Sequence, residues 1–297
     1  MGGFGGLNGH SIGIIMKEMV RRAIHEIRAQ RRTFESKRKE NRHKDEDFVT
    51  SADTAAQAIY LKTIRECFPE YGVIGEEENL MIPCRIAGCD LYFTVDPLDG
   101  TKAYLRRQSH GIGTMIALIR DGEVVAAAVG DINTQEIYYF RPDSDHVHRL
   151  SEYNDAEPLG AVEQAALRSQ YVLLRDDPDC YTAETCALAR GLFKSIEVSG
   201  GSIGVCFARL WKGEVGGLIL SPGVDTPWDL APIAGISKRL GFQFFALHGG
   251  AKRFDPPVKT TTDERDFETL VVHASRVSEV DAFLANRPNR LTDPLIS

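Results

Sequence analysis

A short apolar segment that ends in two aspartates constrains the fold more than any other feature of the sequence. It lies within residues 91–108, LYFTVDPLDGTKAYLRRQ, where the strand-like run LYFTV leads directly into Asp96 and Asp99. Two carboxylates at the end of a buried strand repel one another unless a cation lies between them. The sequence therefore predicts a cation site at the end of this strand.

Length and composition fit one large domain or two closely packed halves. The chain has 297 residues, 43% of them hydrophobic, and a net charge of −7. This charge gives no general attraction to nucleic acid or to anionic membranes. One basic segment, residues 21–44, is interpreted as a solvated helix face followed by a charged loop. No apolar run reaches the ~20 residues of a membrane span, and the N-terminal run is too short for a signal peptide, so we expect a cytoplasmic protein without membrane contact.

The hydrophobic pattern predicts alternating helices and strands. Apolar residues at helical spacing predict a first helix over residues 11–32, and the dipeptide Asp121-Gly122 predicts a tight hairpin between two strands. A polar, turn-rich stretch near residue 150 predicts a boundary between two halves of one compact unit, residues 1–150 and 151–297. The fold class expected from this order is α/β (α+β), with mixed sheets in which several strands pair as hairpins.

Acidic residues recur where one predicted element gives way to the next, at positions that converge on clefts in folded proteins. The four stretches are VTSAD ending at Asp53, GEEE at residues 75–78, DPLDGT at 96–101, and TPWDLAP around Asp229. Each has a simpler explanation when taken alone. Asp53 and Asp229 could be helix N-caps, the glutamates an exposed turn, and DPLDG a turn rich in Asp, Pro and Gly.

Taken together, the four stretches favour a metal site. A buried Asp96 would leave its charge uncompensated, and oxygen ligands without a His or Cys cluster select Mg²⁺, Mn²⁺ or Ca²⁺. Such a set suits two ions that catalyse in-line displacement at phosphorus. A mechanism with an Asp-x-Asp nucleophile is excluded, because Pro97 occupies the position two residues before Asp99.

The same motifs make the sequence similar to the inositol monophosphatase superfamily of Mg²⁺-dependent, Li⁺-sensitive phosphatases. VTSAD, GEE, DPLDGT and WDLAP follow the family's order at family-like intervals over residues 11–285. The resemblance implies a layered αβαβα sandwich with largely antiparallel sheets and a metal site between the two halves. It also implies two or three Mg²⁺ ions, substitution by Mn²⁺, inhibition by Li⁺ and Ca²⁺, and a homodimer.

Matched positions assign roles to individual residues as implications of this resemblance. The implied metal ligands are Glu76, Asp96, the carbonyl of Leu98, Asp99 and Asp229, with Glu77 next to them. Asp53 and Thr101, together with Glu76, would activate a water that attacks phosphorus without a covalent intermediate. The implied substrate contacts are Gly100, Thr101, Lys102, Gly201 and Ser202.

The sequence leaves the substrate open among small phosphorylated metabolites. Inositol phosphates and nucleoside 3′,5′-bisphosphates are the first candidates, and histidinol phosphate and fructose 1,6-bisphosphate are alternatives. Lys102 and Arg106 suit a second phosphate but fit a solvated turn equally well. A different class, a non-catalytic phosphometabolite sensor or a partner of nucleic-acid machinery that binds through residues 21–44, is disfavoured because every matched ligand and Thr101 are present.

Overall fold

Seven helices and two large sheets make up the described part of the chain. The structure is a computed structural model, which describes residue 4 and residues 6–38, 48–160, 165–248 and 250–286. Part of the glycine-rich N-terminus and residues 39–44 of the basic segment lie outside the described residues. The helices are α1 Gly9–Gln30, α2 Ser51–Cys67, α3 Thr101–Leu105, α4 Ala183–Leu192, α5 Ile203–Trp211, α6 Pro227–Arg239 and α7 Val277–Ala285.

The strands of the N-terminal half are β1 Ser36–Arg38, β2 Phe48–Thr50, β3 Gly72–Gly75, β4 Met81–Ile82, β5 Leu91–Asp99, β6 Gly113–Arg120, β7 Glu123–Asp131, β8 Ile137–Phe140, β9 Val147–Leu150 and β10 Ala156–Leu159. Those that follow are β11 Tyr171–Leu174, β12 Ser195–Val198, β13 Gly217–Leu220, β14 Gly223–Asp225, β15 Phe242–Leu247, β16 Ala251–Phe254, β17 Asp263–Arg265 and β18 Glu268–His273.

Both large sheets are mixed and largely antiparallel, as predicted. The first has the order β10-β9-β8-β7-β6-β5-β3-β4 and only β3 and β5 run parallel. The second has the order β12-β11-β13-β18-β15-β16, with β11 parallel to β12 and to β13. The hairpin at Asp121-Gly122 is also confirmed, since Arg120 pairs with Glu123 across a two-residue turn whose φ angles are 50° and 80°.

Three apolar cores hold five layers together, and the second core surrounds the central helical layer on both faces. Helices α1 and α2 cover one face of the first sheet, and α5 and α6 fill the space between the two sheets. Helices α4 and α7 cover the outer face of the second sheet. The αβαβα sandwich is therefore confirmed. Its central layer is built from helices of the C-terminal half that lie on the sheet of the N-terminal half, which determines where the two halves meet.

The predicted division at residue 150 stays a prediction. The first sheet continues through β9 and β10 to Leu159, and the second sheet begins with β11. None of the helices in the described ranges is long and apolar enough to cross a lipid bilayer.

The arginines near the end of α1 are used to hold the helix in place. Arg28 donates to the carbonyls of Ile132 and Asn133, at 2.7 and 3.1 Å. Arg31 donates to the Asn133 side chain at 2.8 Å and to the Gln108 carbonyl. These internal contacts leave less of the basic segment available to a partner than its composition indicates.

Candidate active site

A β-bulge in β5 brings Asp96 and Asp99 to one face of the first sheet. Residues three apart in a regular strand point to opposite faces. Here Asp96 pairs with Met115 and Asp99 with Gly113, so β5 uses one extra residue over this step. Pro97 lies inside the bulge, where its missing N–H costs no ladder hydrogen bond. The turn-like sequence DPLD therefore forms the end of the strand and aims both carboxylates into the central layer.

Glu76 and Asp229 reach the same place from different elements. Glu76 directly follows β3, whose last residue lies beside Val95 in a parallel pair, so both strands end at one edge. Asp229 is in the first turn of α6, which packs on β5 from the central layer. Asp96, Asp99 and Asp229 each offer an oxygen atom, and these atoms lie within 4.8 Å of one another.

The electrostatics of this cluster fit a cation. Burial, followed by the charges of Glu76, Asp99 and Asp229, raises the pKa of Asp96 well above its ordinary value. Burial and the charges of Asp99 and Glu76 raise the pKa of Asp229 to about 7. The carboxyls of Asp96 and Asp229 are close enough that each changes the pKa of the other. A shared proton, a nearby cationic side chain or a bound cation stabilises such an arrangement, and an oxygen-only donor set is the one that Mg²⁺ prefers.

These pKa shifts predict that, without metal, stability falls as the pH rises. The folded chain binds the Asp229 proton more tightly than the unfolded chain, whose aspartates have pKa values near 3.9. The resulting stabilisation is fully present below pH ~4 and is lost as the pH rises through ~7. Urea unfolding in EDTA between pH 5 and 8, a window chosen to span roughly this range, should show this slope.

Asp229→Asn is the matched variant for that measurement, and it should flatten the slope. Mg²⁺ should restore the wild-type free energy of unfolding at neutral pH, because it replaces the proton between the carboxylates. A metal-free stability that rises with pH over this window would contradict the assignment of a repulsive carboxylate cluster.

Asp99 is held by the N-terminus of α5. Its carboxylate accepts hydrogen bonds from the Ser202 hydroxyl, from the Ile203 N–H at 3.1 Å and from the Gly204 N–H at 2.8 Å. The Ser202 hydroxyl in turn accepts the Val205 N–H at 2.9 Å and is fully buried. Ser202 thus fastens the C-terminal half to the acidic cluster, and the contact of its side chain with substrate stays a prediction.

Gly201 has the backbone conformation that lets the segment before α5 pass close to Gly111. Its φ is 98°, and a Cβ atom there would lie 2.4 Å from the Gly111 carbonyl oxygen. The neighbouring Ser202 N–H donates to that same oxygen at 2.8 Å. A Cβ atom on Gly100, whose φ is 89°, would also lie too close to the Gly111 carbonyl oxygen. Both glycines therefore lie beside the cluster, and their backbone freedom allows this close approach, while their contact with substrate stays a prediction.

Asp53 and Thr101 also lie together. The Thr101 hydroxyl is 3.4 Å from Oδ1 of Asp53 and 3.1 Å from the carbonyl oxygen of Leu98. The other Asp53 oxygen accepts the N–H of Thr50 at 2.8 Å and the Thr50 hydroxyl. The simpler N-cap explanation is wrong in detail for both aspartates, because Thr50 and Thr226 are the N-caps and the aspartates are the third helical residues.

The remaining predicted residues differ in how far they are buried. The Glu77 side chain is buried beneath the site, and the Gln57 side chain donates to its carbonyl. Lys102 and Arg106 are exposed on and just after α3. Glu76 is partly buried at the site's edge.

Arg175 is a charged residue at the site that the motif comparison missed. It directly follows β11, and its guanidinium acts electrostatically on both Asp99 and Asp229. It also lines a cavity that includes Asp229. The sequence could have indicated Arg175, because YVLLRDD resembles LYFTVD in being an apolar, strand-like run followed directly by charged residues.

Comparison with known proteins agrees with this geometry. The family model described as "Inositol monophosphatase family" matches residues 11–289. A 92-residue segment is 34% identical to "Nus factor SuhB" of Xylella fastidiosa, over 31% of each chain. A 94-residue segment is 37% identical to "Inositol-1-monophosphatase" of Rhizobium meliloti, over 31% of this chain and 33% of the relative. The matches thus span about a third of these curated relatives.

Solved structures share the fold along nearly the whole chain. The native crystal structure of extragenic suppressor protein suhB from Bartonella henselae superposes with a TM-score of 0.71 and 17% identity. The match covers 93% of this chain and 100% of that one.

Proposed function

The chain belongs to the inositol monophosphatase family, and from this premise we propose that it is a Mg²⁺-dependent phosphomonoesterase of a small phosphorylated metabolite. One observation carries the proposal. Carboxylates of Asp96, Asp99 and Asp229 converge within 4.8 Å, at the end of a strand that continues into the Thr101–Asp53 pair. A cation site next to a hydroxyl–carboxylate pair is what metal-assisted hydrolysis of a phosphate ester needs.

The donor set fits divalent cations. Bound ions would neutralise the phosphate, acidify a water molecule and stabilise the leaving oxygen. A phosphate dianion is otherwise repelled by these acids, because only bound cations invert the local sign of charge. The proposed ligands are the carboxylates of Glu76, Asp96, Asp99 and Asp229 and the Leu98 carbonyl.

The protein's own contribution to proton transfer comes from Asp53 and Thr101. Thr50 fixes one Asp53 oxygen, so the other faces the Thr101 hydroxyl. As the Thr101 oxygen takes a proton from the attacking water, its own proton passes to Asp53, whose carboxylate becomes neutral. The N–H groups of Gly100 and Thr101 are the proposed donors to phosphate oxygens. The proposed chemistry needs no covalent phosphoenzyme.

The substrate is proposed only by class. The family and the name of the Rhizobium meliloti relative support an inositol phosphate-like ester. Nucleoside 3′,5′-bisphosphates, histidinol phosphate and fructose 1,6-bisphosphate are the alternatives. Lithium sensitivity, a homodimer and a cytoplasmic location stay predictions.

Release of inorganic phosphate from a panel of esters tests the proposal. The panel is inositol 1-phosphate, adenosine 3′,5′-bisphosphate, histidinol phosphate and fructose 1,6-bisphosphate, each with Mg²⁺ and with EDTA. We expect turnover of at least one ester with Mg²⁺ and none with EDTA, because the carboxylates repel phosphate without a cation. No release from any ester, or release that EDTA leaves unchanged, would refute a metal-dependent phosphatase.

Names among the relatives give a second candidate. Several are called "Nus factor SuhB", which describes those proteins. A partner role for this chain would be favoured by silence across the ester panel together with tight binding of a macromolecule. The contacts of Arg28 and Arg31 with backbone carbonyls argue against α1 as the binding surface.

A further inference from the structure

A cavity opens next to Asp229, on the side of the second sheet. It lies between α6, the carboxyl ends of β11 and β13, and the two-stranded β14–β17 sheet. Its volume is about 60 Å³, which is room for roughly four water molecules at ~15 Å³ each. Ligands commonly bind at the carboxyl ends of parallel strands, so this cavity is well placed to receive part of a substrate.

Arg175 has unused hydrogen-bonding capacity in the cavity wall. A guanidinium carries five N–H donors in a planar fork. Among the described residues, its side chain makes one hydrogen bond, from Nη2 to the Gly201 carbonyl at 3.5 Å. That distance is longer than an ordinary N–H···O bond. The same part of the chain supplies no carboxylate in ion-pair contact with Arg175, although Asp99, Asp176 and Asp229 attract it from farther away, so N–H donors of the fork are left for an acceptor from the cavity.

Apart from Asp229, which belongs to the carboxylate cluster, the other charged groups around the cavity already have partners. Arg265 donates to Asp225 at 3.1 Å and to the carbonyl of Phe267. The Ser221 hydroxyl donates to Asp176 at 2.6 Å, which satisfies one oxygen of that carboxylate. Asp99 is satisfied by the start of α5. Arg175 is therefore the cation of this wall that lacks a close anionic partner among the described residues.

We propose that Arg175 binds a second anionic group, a carboxylate or a phosphate, carried by the leaving group of the substrate. The inference rests on the proposed function and adds the substrate class. The Thr101–Asp53 pair lies on the α2 and α3 side of the carboxylate cluster, and the cavity lies on the Asp229 side. In-line displacement places the leaving group opposite the attacking water, which directs it to Arg175. The planar fork of arginine matches the paired oxygens of a carboxylate or phosphate.

Lys102 and Arg106, to which the sequence assigned a second phosphate, are the competing site. Both are exposed, so an anion held there would remain in water and gain less than one held in the cavity. Substitutions at the two places therefore separate the two explanations.

Two matched pairs of phosphate esters test the inference in the presence of Mg²⁺. In the carboxylate arm, 2-phosphoglycerate is compared with glycerol 2-phosphate. In the phosphate arm, adenosine 3′,5′-bisphosphate is compared with adenosine 3′-phosphate. The readout is the ratio of kcat/KM for the ester with the second anionic group to that for its counterpart without it. In wild-type protein we expect a ratio of about ten or more in at least one arm, and the arm identifies the group that binds.

Arg175→Gln should reduce that ratio about tenfold to a hundredfold, mainly through KM of the anionic ester, because it removes a charge-assisted hydrogen bond. Arg175→Lys keeps the charge without the fork and should give an intermediate ratio, which also covers the case in which the glutamine variant fails to fold. Arg190→Gln, at an exposed arginine on α4, is the matched control and should keep the wild-type ratio.

Three outcomes would overturn the inference. They are equal rates within both pairs in wild-type protein, a ratio that survives Arg175→Gln, and a ratio that disappears instead in Lys102→Gln or Arg106→Gln. Each leaves the proposed function intact, because the esters are still hydrolysed. Absence of hydrolysis of all four esters by protein that is active on the panel described above would also overturn the inference, whereas silence on that panel as well would count against the proposed function itself.

Discussion

Replacing Asp96 with asparagine is expected to lower kcat/KM more than about 10³-fold for every ester that the wild-type protein hydrolyses. This corresponds to about 4 kcal/mol at 1.36 kcal/mol per tenfold change. Asp96 is 3% exposed at the centre of the cluster, and its charge is needed to hold a cation between Asp99 and Asp229. Steady-state phosphate release with saturating Mg²⁺ measures the loss.

The same substitution should not unfold the protein. Burial and its acidic neighbours raise the pKa of Asp96, so the neutral form is favoured without metal and asparagine resembles that form. We expect a melting temperature in EDTA equal to or above that of the wild type. Asp90→Asn, at an exposed aspartate just before the same strand, is the control and should retain activity. Near-normal turnover by the folded Asp96→Asn variant would contradict the assigned role.

Removing the Thr101 hydroxyl is expected to lower kcat about 10²–10⁴-fold, the range of general acid–base contributions. The hydroxyl lies 3.4 Å from the Asp53 carboxylate, and in the proposed function it accepts the proton of the attacking water. Because Thr101 is not among the proposed side-chain ligands of the cations, Thr101→Ala should change kcat while the Mg²⁺ concentration for half-maximal activity stays near the wild-type value.

Thr101→Ser keeps the hydroxyl and should restore most of the activity. Asp53→Asn should lose activity to a similar degree as Thr101→Ala, and the double variant should lose little more, because the two groups act as one unit. A Thr101→Ala variant with wild-type kcat, or fully additive losses, would show that the pair does not move the proton.

The sequence predicted parts of this site where a charged residue directly follows an apolar, strand-like run. Asp96 directly follows the apolar run LYFTV, and this adjacency alone predicted a carboxylate at a buried strand end. The layer order also followed from the alternating pattern once the resemblance was included. The hairpin at Asp121-Gly122 was predictable because its turn requires two positive φ angles.

Features that depend on contacts between distant segments were not predictable. The bulge at Pro97 resembles an ordinary turn in sequence, and only pairing with β6 shows that it aligns Asp96 with Asp99. Likewise, nothing local in the sequence indicates that the Ser202 hydroxyl holds Asp99 from 103 residues away. Tertiary contacts of this kind leave no local periodicity for sequence reasoning to detect.

Crystals grown or soaked with Mn²⁺ and measured at the manganese absorption edge test whether the three aspartates bind a cation. We expect anomalous density between the carboxylates of Asp96, Asp99 and Asp229 in the wild type, and its loss in Asp96→Asn crystals. A fully soaked wild-type crystal with no ion at these carboxylates, or with manganese bound only elsewhere, would contradict it.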